Sequence, residues 1–94
     1  MFILIAYDVS TLEKAGRKRL RRVARACKDY GQRVQNSVFE VKVEAVDWIV
    51  LKARLLKEIN LGEDSLRFYF LDKDVEFEHH GTEKPIDFEE PLIL

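Results

Sequence analysis

The sequence predicts an α+β fold in which two helices cover one face of an antiparallel sheet. Three observations predict it: an apolar run at residues 1–7, two segments with helical spacing of apolar residues, and an aromatic-rich run at residues 66–71. The chain has 94 residues, of which 47% are hydrophobic and 35% are charged. This length and composition are typical of one globular domain, so residues 1–94 are expected to form a single domain.

The chain begins with a strand and a helix. Met1–Tyr7 is continuously apolar and runs into Asp8, which predicts a strand that is central in its sheet and buried on both faces. Residues 14–30 predict an amphipathic helix, because apolar residues recur there at i, i+3, i+4 and i+7: Leu20, Val23, Ala24 and Cys27. Gly31 is expected to end this helix.

The rest of the chain predicts one more helix and several strands. Residues 45–59 form the second helical pattern, with a stripe of Trp48, Leu51, Leu55 and Ile59 that is widened by Ile49 and Leu56. The remaining strands are predicted at residues 33–36, 38–43, 66–71 and 75–79, with a turn at 72–74. Residues 81–94 form an acidic tail that ends on three apolar residues, Leu92-Ile93-Leu94.

This order of elements is that of the ferredoxin-like βαββαβ fold with an additional C-terminal strand. Both helices are expected on one face of the antiparallel sheet, which leaves the other face open. A twin subunit is the economical way to cover that face, so a homodimer is expected. The apolar end of the tail indicates docking rather than disorder, and the partner subunit is its expected site.

Composition argues against several other classes of protein. The single cysteine, Cys27, cannot form an internal disulfide, which is typical of an intracellular, cytoplasmic chain. Its expected role is that of a small buried hydrophobic residue. No apolar run approaches the roughly 20 residues of a membrane span, so no membrane partner is expected.

The net charge of −1 conceals an asymmetry along the chain. Residues 1–47 hold ten Lys and Arg against six Asp and Glu, whereas residues 48–94 hold six against eleven. The first helix contributes eight cations within fifteen residues: Lys14, Arg17, Lys18, Arg19, Arg21, Arg22, Arg25 and Lys28. Their mutual repulsion predicts an anionic partner. Nucleic-acid phosphate is the leading candidate, and the chain's own acidic residues 87–90 are the rival.

Asp8 is the residue most able to carry chemistry, because it closes the central strand beside a loop. On position alone, three interpretations stand: a helix cap or loop hydrogen bond, a metal ligand, or a general base. Mg²⁺ typically takes one or two carboxylates together with waters or phosphates. A two-fold axis near Asp8 would bring two copies together and complete such a site.

Other residue types give weaker signals. His79 and His80 are adjacent in a strand and should point to opposite faces, which makes them a poor chelating pair. The chain contains no CxxC, HExxH or glycine-rich phosphate loop. Most strand aromatics should be core residues, although an exposed one near the basic helix could stack on a base: Tyr7, Phe39, Phe68, Tyr69 and Phe70.

Four segments together resemble the CRISPR-associated Cas2 family, which is the small subunit of the spacer-acquisition complex. They are Tyr7-Asp8-Val9-Ser10, the basic segment Gly16-Arg17-Lys18-Arg19-Leu20-Arg21, residues 31–40 with Arg33 and Ser37-Val38-Phe39, and Asp64-Ser65-Leu66-Arg67-Phe68-Tyr69. Each segment alone is a weak signal. Their order and spacing cover residues 1 to about 80 and are specific together.

The resemblance implies a homodimeric, Mg²⁺- or Mn²⁺-dependent endonuclease whose last strand adds to the partner's sheet. It assigns the catalytic and metal-binding aspartate to Asp8. It also places further residues near that site as candidates for contact with DNA or RNA: Tyr7, Arg17, Arg19, Arg33, Ser37 and Phe39. Arg21 joins them from the basic helix.

The resemblance further implies docking on the larger CRISPR integrase subunit. Two alternatives stay open at this point. One is a non-catalytic scaffold that carries DNA and bridges integrase subunits, in which Asp8 is incidental. The other is a nucleic-acid-binding ferredoxin-like domain outside CRISPR, since a fold alone supports many functions.

Overall fold

The computed structural model describes residues 1–71 and 76–82. The predicted turn at 72–74 and the predicted docking of the tail fall largely outside these residues. Within them the order is β1 (Phe2–Asp8), α1 (Lys14–Tyr30), β2 (Gly31–Gln35), β3 (Val38–Lys42), α2 (Ala45–Glu58), β4 (Ser65–Phe70) and β5 (Glu76–Gly81). The elements therefore follow the predicted order, with boundaries shifted by one or two residues at most ends.

The strands form one antiparallel sheet in the order β2-β3-β1-β4-β5. The central position predicted for the first strand is confirmed, since β1 pairs with β3 on one side and β4 on the other. This arrangement confirms the ferredoxin-like fold with one added strand. β5 pairs along its length with β4 of its own chain, and the addition of the last strand to a partner's sheet stays a prediction. Five intervening residues make this local antiparallel pairing the short connection.

Both helices pack on one face of the sheet, which we call the helix face. Alternate residues of β1, namely Ile3, Ile5 and Tyr7, point into this core and are at most 3% exposed. The predicted stripe of α2 is confirmed: Trp48, Leu51, Leu55 and Ile59 are all buried. Trp48 meets Phe68 and Phe70 of β4 edge-on, with ring centroids 4.8 and 5.7 Å apart, which seats α2 on the sheet.

Ile49 does not belong to the core. It was expected to widen the apolar stripe of α2, but its side chain is 67% exposed. Val46 and Val50 are also exposed, so α2 carries apolar residues on its outer side as well. The reason is geometric: α2 covers the sheet with the arc centred on Leu51 and Leu55, and Ile49 lies outside that arc. Leu56, by contrast, does pack against the core.

The opposite side of the sheet, the open face, is covered by no helix in the described part of the chain. From β1 it carries Phe2, Leu4, Ala6 and Asp8, and across the ladder from β1 to β4 lie Tyr69, Arg67 and Ser65. Phe2 and Leu4 are only half-buried, so the prediction that β1 is fully buried on both faces is wrong for a single chain. The open face combines apolar residues at one end with polar residues around Asp8.

Candidate metal and nucleic-acid site

Asp8 is the last residue of β1 and lies at one end of the sheet. Its backbone is directly opposite Ser65 of β4. The preceding residue, Tyr7, donates its N–H to the carbonyl of Ser37 in the turn between β2 and β3, at 3.0 Å. Because side chains alternate along a strand, Asp8 projects to the open face whereas Tyr7 enters the core. Asp8 is half-buried.

The neighbours of Asp8 on the open face are polar. Ser65 Oγ and His79 Nε2 are hydrogen-bonded at 3.0 Å, so a line of polar side chains crosses β1, β4 and β5. His80 lies on the helix face, 3.0 Å from Glu78 and near the ring of Phe68. The two histidines therefore point to opposite faces, as predicted, which makes them a poor chelating pair.

A single copy of the chain offers Asp8 too few ligands for a cation. Among residues 1–71 and 76–82 no group of three His, Cys, Asp or Glu side chains is placed to hold a metal ion. Mg²⁺ and Mn²⁺ favour carboxylate oxygens and accept sites with one or two of them plus water. The position of Asp8 on an uncovered face fits such a cation if two copies meet there and each supplies one carboxylate.

Three of the residues assigned to the site from sequence come together on the other side of the sheet. Tyr7 and Phe39 stack with ring centroids 6.2 Å apart, and the Arg33 guanidinium lies 5.1 Å above the Phe39 ring. Phe39 is 0% exposed and Tyr7 is 3% exposed. Neither ring has surface on which a base could stack, and of the three only Arg33 reaches solvent. The phenol of Tyr7 is also kept neutral, because burial raises its pKa to about 12.

Arg19 is placed differently from the other cations of α1. Its Nε donates to Asp64 Oδ2 at 2.9 Å, and its Nη2 donates to Glu63 at 3.0 Å. Its guanidinium therefore bonds carboxylates of the same chain, where the sequence predicted a phosphate contact. The physical reason is the helical angle, since Arg19 lies on the flank of α1 that faces the α2–β4 loop.

The remaining cations of α1 form an exposed stripe. Spacings of three or four residues, with the adjacent pair Arg17 and Lys18 side by side, bring six of them to the side of α1 opposite its buried residues: Lys14, Arg17, Lys18, Arg21, Arg25 and Lys28. We call these six residues the basic stripe. Arg17 also donates to the carbonyl of Thr11 at 3.1 Å, which holds the start of the stripe against the loop after Asp8.

Sequence reasoning missed three residues around Asp8. Ser65 and His79 were not assigned to the site, because only the strand pairing brings Ser65 opposite Asp8 and His79 to Ser65. Asp64 is fully buried and bonds the loop that follows Asp8. The sequence did hold a signal for Asp64. This residue stands just before an aromatic strand, a position where a carboxylate commonly accepts hydrogen bonds from loop N–H groups.

Comparison with known proteins identifies the family. A family model described as "CRISPR associated protein Cas2" matches residues 1–78. A CRISPR-associated endoribonuclease Cas2 of Rhodospirillum rubrum is 53% identical over 98% of this chain and 99% of its own length. A CRISPR-associated endonuclease Cas2 of Halalkalibacterium halodurans is 50% identical, with 100% of both chains covered.

Solved structures also match the Cas2 family. The crystal structure of Streptococcus pyogenes Cas2 is 54% identical with a TM-score of 0.72, covering 79% of this chain and 89% of that one. A hypothetical protein from Thermus thermophilus is 33% identical with a TM-score of 0.65, covering 80% and 85%. The resemblance noted in the sequence is thereby confirmed, and the relatives' names agree with the predicted nuclease class. The chain belongs to the CRISPR-associated Cas2 family.

Proposed function

We propose that this chain acts as a homodimeric, metal-dependent endonuclease that cuts phosphodiester bonds in DNA or RNA during spacer acquisition. The observation that carries the proposal is the position of Asp8 on the open face, at the end of the central strand. The names endoribonuclease and endonuclease of relatives about half identical to this chain support the same activity. A single free cysteine fits a reducing cytoplasm, where both nucleic acids are found.

Two Asp8 carboxylates, one from each copy, would hold the Mg²⁺ or Mn²⁺ ion between the two open faces. When bound, such an ion activates a water molecule and stabilises charge that develops on the scissile phosphate. The half-buried Phe2 and Leu4 supply apolar area for the contact between copies. Ser65 lies opposite Asp8 in the neighbouring strand and is hydrogen-bonded to His79, so polar groups extend from each carboxylate across the sheet.

The start of the basic stripe would hold the nucleic acid near this site. Lys14, Arg17 and Lys18 belong to the first turns of α1, which follow Asp8 after a loop of five residues. Arg33 is also exposed, on the helix face and level with the middle of β1, and adds a further cation. Each of these groups binds phosphate without reading the base, so we expect affinity that depends strongly on salt and little on sequence.

The test is a nuclease assay on purified protein with single-stranded RNA and double-stranded DNA, each with Mg²⁺ or Mn²⁺. Asp8→Asn should lower cleavage by more than about 100-fold, because losing a ligand exceeds the 10- to 100-fold typical of outer-shell partners. Asp47→Asn is the matched control, since Asp47 is exposed near Phe2 and Lys42 at the opposite end of β1. Equal cleavage by wild type and Asp8→Asn would show that Asp8 is not catalytic.

A second candidate function is a DNA-carrying scaffold that joins copies of an integrase subunit. One observation favours it: the basic stripe continues from Lys14 to Lys28, a rise of about 21 Å along the outside of α1. This is far longer than a cleavage site at Asp8 requires and suits a backbone that runs across the protein. Spacer acquisition in cells that carry Asp8→Asn separates the two functions. Normal acquisition favours the scaffold, and lost acquisition favours catalysis.

A further inference from the structure

The carboxylate of Asp64 is buried and accepts four hydrogen bonds. It is 0% exposed. Oδ1 accepts the backbone N–H of Ser10 at 3.0 Å, and Oδ2 accepts the backbone N–H of Asn60 at 2.8 Å. The Arg19 guanidinium adds bonds to both oxygens, at 2.9 Å to Oδ2 and 3.2 Å to Oδ1. Four donors therefore fix one buried carboxylate in position and orientation.

The charge of Asp64 is stable in this setting. Burial raises its pKa, but the bonds from Arg19, Asn60 and Ser10 outweigh burial and bring the pKa below the usual 3.8. The group is thus ionised at neutral pH and holds its donors by charge. An apolar residue could fill the same space, but it would leave the N–H groups of Ser10 and Asn60 unpaired.

Asp64 links the two segments that flank Asp8, by one hydrogen bond to the first and by its place in the chain to the second. Ser10 is two residues beyond Asp8 in the chain, and Ser65, which directly follows Asp64, is the strand partner of Asp8. Gly16 allows the loop after Asp8 to lie close against α1, because a Cβ at position 16 would overlap the carbonyl oxygen of Ser10. The loop after Asp8 is therefore pressed against α1 and bonded to the start of β4.

We propose that Arg19 and Asp64 are positioning residues that hold Asp8 where two copies can share one cation. This inference rests on the proposed function. A shared cation requires both carboxylates to meet at one point, and a misplacement of about 1 Å can cost roughly 10²-fold in rate. The ion pair meets this requirement by fixing the loop on one side of Asp8 and its partner strand on the other. Arg19 thus serves the site through Asp64, without touching nucleic acid.

The test measures Mn²⁺ affinity by electron paramagnetic resonance, together with kcat and KM for cleavage, on full-length wild type and variants. Asp64→Asn is the main variant, and Arg19→Lys keeps the charge but loses the two-point contact. The matched control is Asp29→Asn, which removes an exposed ion pair with Arg54 of 2.8 Å between α1 and α2. All comparisons are made at a temperature where circular dichroism shows each protein folded.

The proposal expects Mn²⁺ affinity to fall about 10- to 100-fold in Asp64→Asn, with a smaller fall in Arg19→Lys and none in Asp29→Asn. kcat should fall while KM stays at the wild-type value. Folded Asp64→Asn and Arg19→Lys proteins with wild-type Mn²⁺ affinity would overturn the proposal. So would a raised KM with unchanged kcat, since that would place Arg19 on the nucleic acid. If neither variant folds, the pair is structural and the proposal is wrong.

The same Mn²⁺ titration on Asp8→Asn tests the proposed function separately from the positioning role of Arg19 and Asp64. Loss of Mn²⁺ binding in this variant supports the proposed function, whatever Asp64→Asn does. Wild-type Mn²⁺ affinity in Asp8→Asn would remove the proposed site, and the positioning role would fall with it. Loss in Asp8→Asn combined with no change in Asp64→Asn would leave the proposed function standing and reject the positioning role alone.

Discussion

Tyr7 and Asp8 are neighbours in the chain, yet their side chains lie on opposite faces of the sheet. Tyr7 is 3% exposed and stacks on Phe39 beneath α1 and α2, whereas Asp8 projects to the open face beside Ser65. The cause is the two-residue period of a strand. Two residues of one short motif therefore lie in different surroundings. Tyr7 belongs to the core, and Asp8 lies on the open face.

Substitutions of Phe39 should change stability and leave nucleic-acid affinity unchanged. Phe39→Ala removes a fully buried ring and should lower the free energy of unfolding by about 3–5 kcal/mol, measured by urea titration. Phe39→Leu keeps much of the volume and should stay folded. Its affinity for single-stranded RNA and double-stranded DNA should match the wild type. A folded Phe39→Leu protein with weakened binding would place this ring on the nucleic acid after all.

The open face should be the surface that joins two copies. Leu4→Lys places a charge on its apolar part and should convert a dimer into a monomer of 11.1 kDa, measured by light scattering after size exclusion. The matched control is Ile49→Lys on the exposed side of α2, which should leave the dimer intact. A wild-type protein that is monomeric, or a dimer broken by Ile49→Lys alone, would contradict this assignment.

The basic stripe should set the salt dependence of nucleic-acid binding. The double variant Lys18→Gln/Lys28→Gln should reduce the slope of log K against log salt by about 2 on duplex DNA, at about 0.9 per lost phosphate contact. Lys42→Gln/Lys57→Gln makes the same change of charge at two exposed positions outside the stripe and should keep the wild-type slope. If only the control variant had a smaller slope, or if both variants kept the wild-type slope, the stripe would face another partner, such as the chain's own acidic tail.

The Asp64 carboxylate should make stability depend on pH in the acid range. Its pKa is lower in the folded chain than the usual 3.8, so the unfolded chain binds its proton more readily. Its stabilising effect is therefore complete above the unfolded value and is lost as the pH falls through the folded value. The difference in the free energy of unfolding between wild type and Asp64→Asn should be constant near neutral pH. It should shrink below about pH 4, measured by urea titration at each pH. A difference that grows toward acid pH would contradict the direction of the shift.

Local patterns predicted most of the secondary structure, because each element depends on near neighbours in the chain. The helix predicted over residues 14–30 has the observed bounds, and the stripe from Trp48 to Ile59 is buried as expected. Ile49 shows where this reasoning stops, since an apolar residue beside a stripe is not assigned to the core by its type. Whether Ile49 is buried depends on the rotation of α2 about its own axis. That rotation is set by the packing of Trp48 against Phe68 and Phe70.

The candidate site was predicted only in part, because local patterns reveal a residue's place in its own element but not its partners from other elements. The place of Asp8 at the end of the central strand follows from Met1–Tyr7 alone, and the resemblance to the family assigned it the metal. Arg19 illustrates the limit. It has the same residue type as Arg17 and Arg21 and lies between them in the chain, but it turns toward a carboxylate 45 positions away. Helical periodicity separates these three directions, whereas only the packing of the α2–β4 loop identifies the partner.

The sequence by itself determined the order of the elements, the basic character of α1 and the family to which the chain belongs. These properties lie in short-range periodicity, in composition and in motifs read along the chain. The tertiary structure alone decided that Tyr7, Phe39 and Arg33 stack on the helix face, that Asp8 lies opposite Ser65, which bonds His79, and that Arg19 bonds Asp64. Those relationships join residues far apart in sequence, and their distances are fixed by strand register and helix packing, which no local pattern encodes.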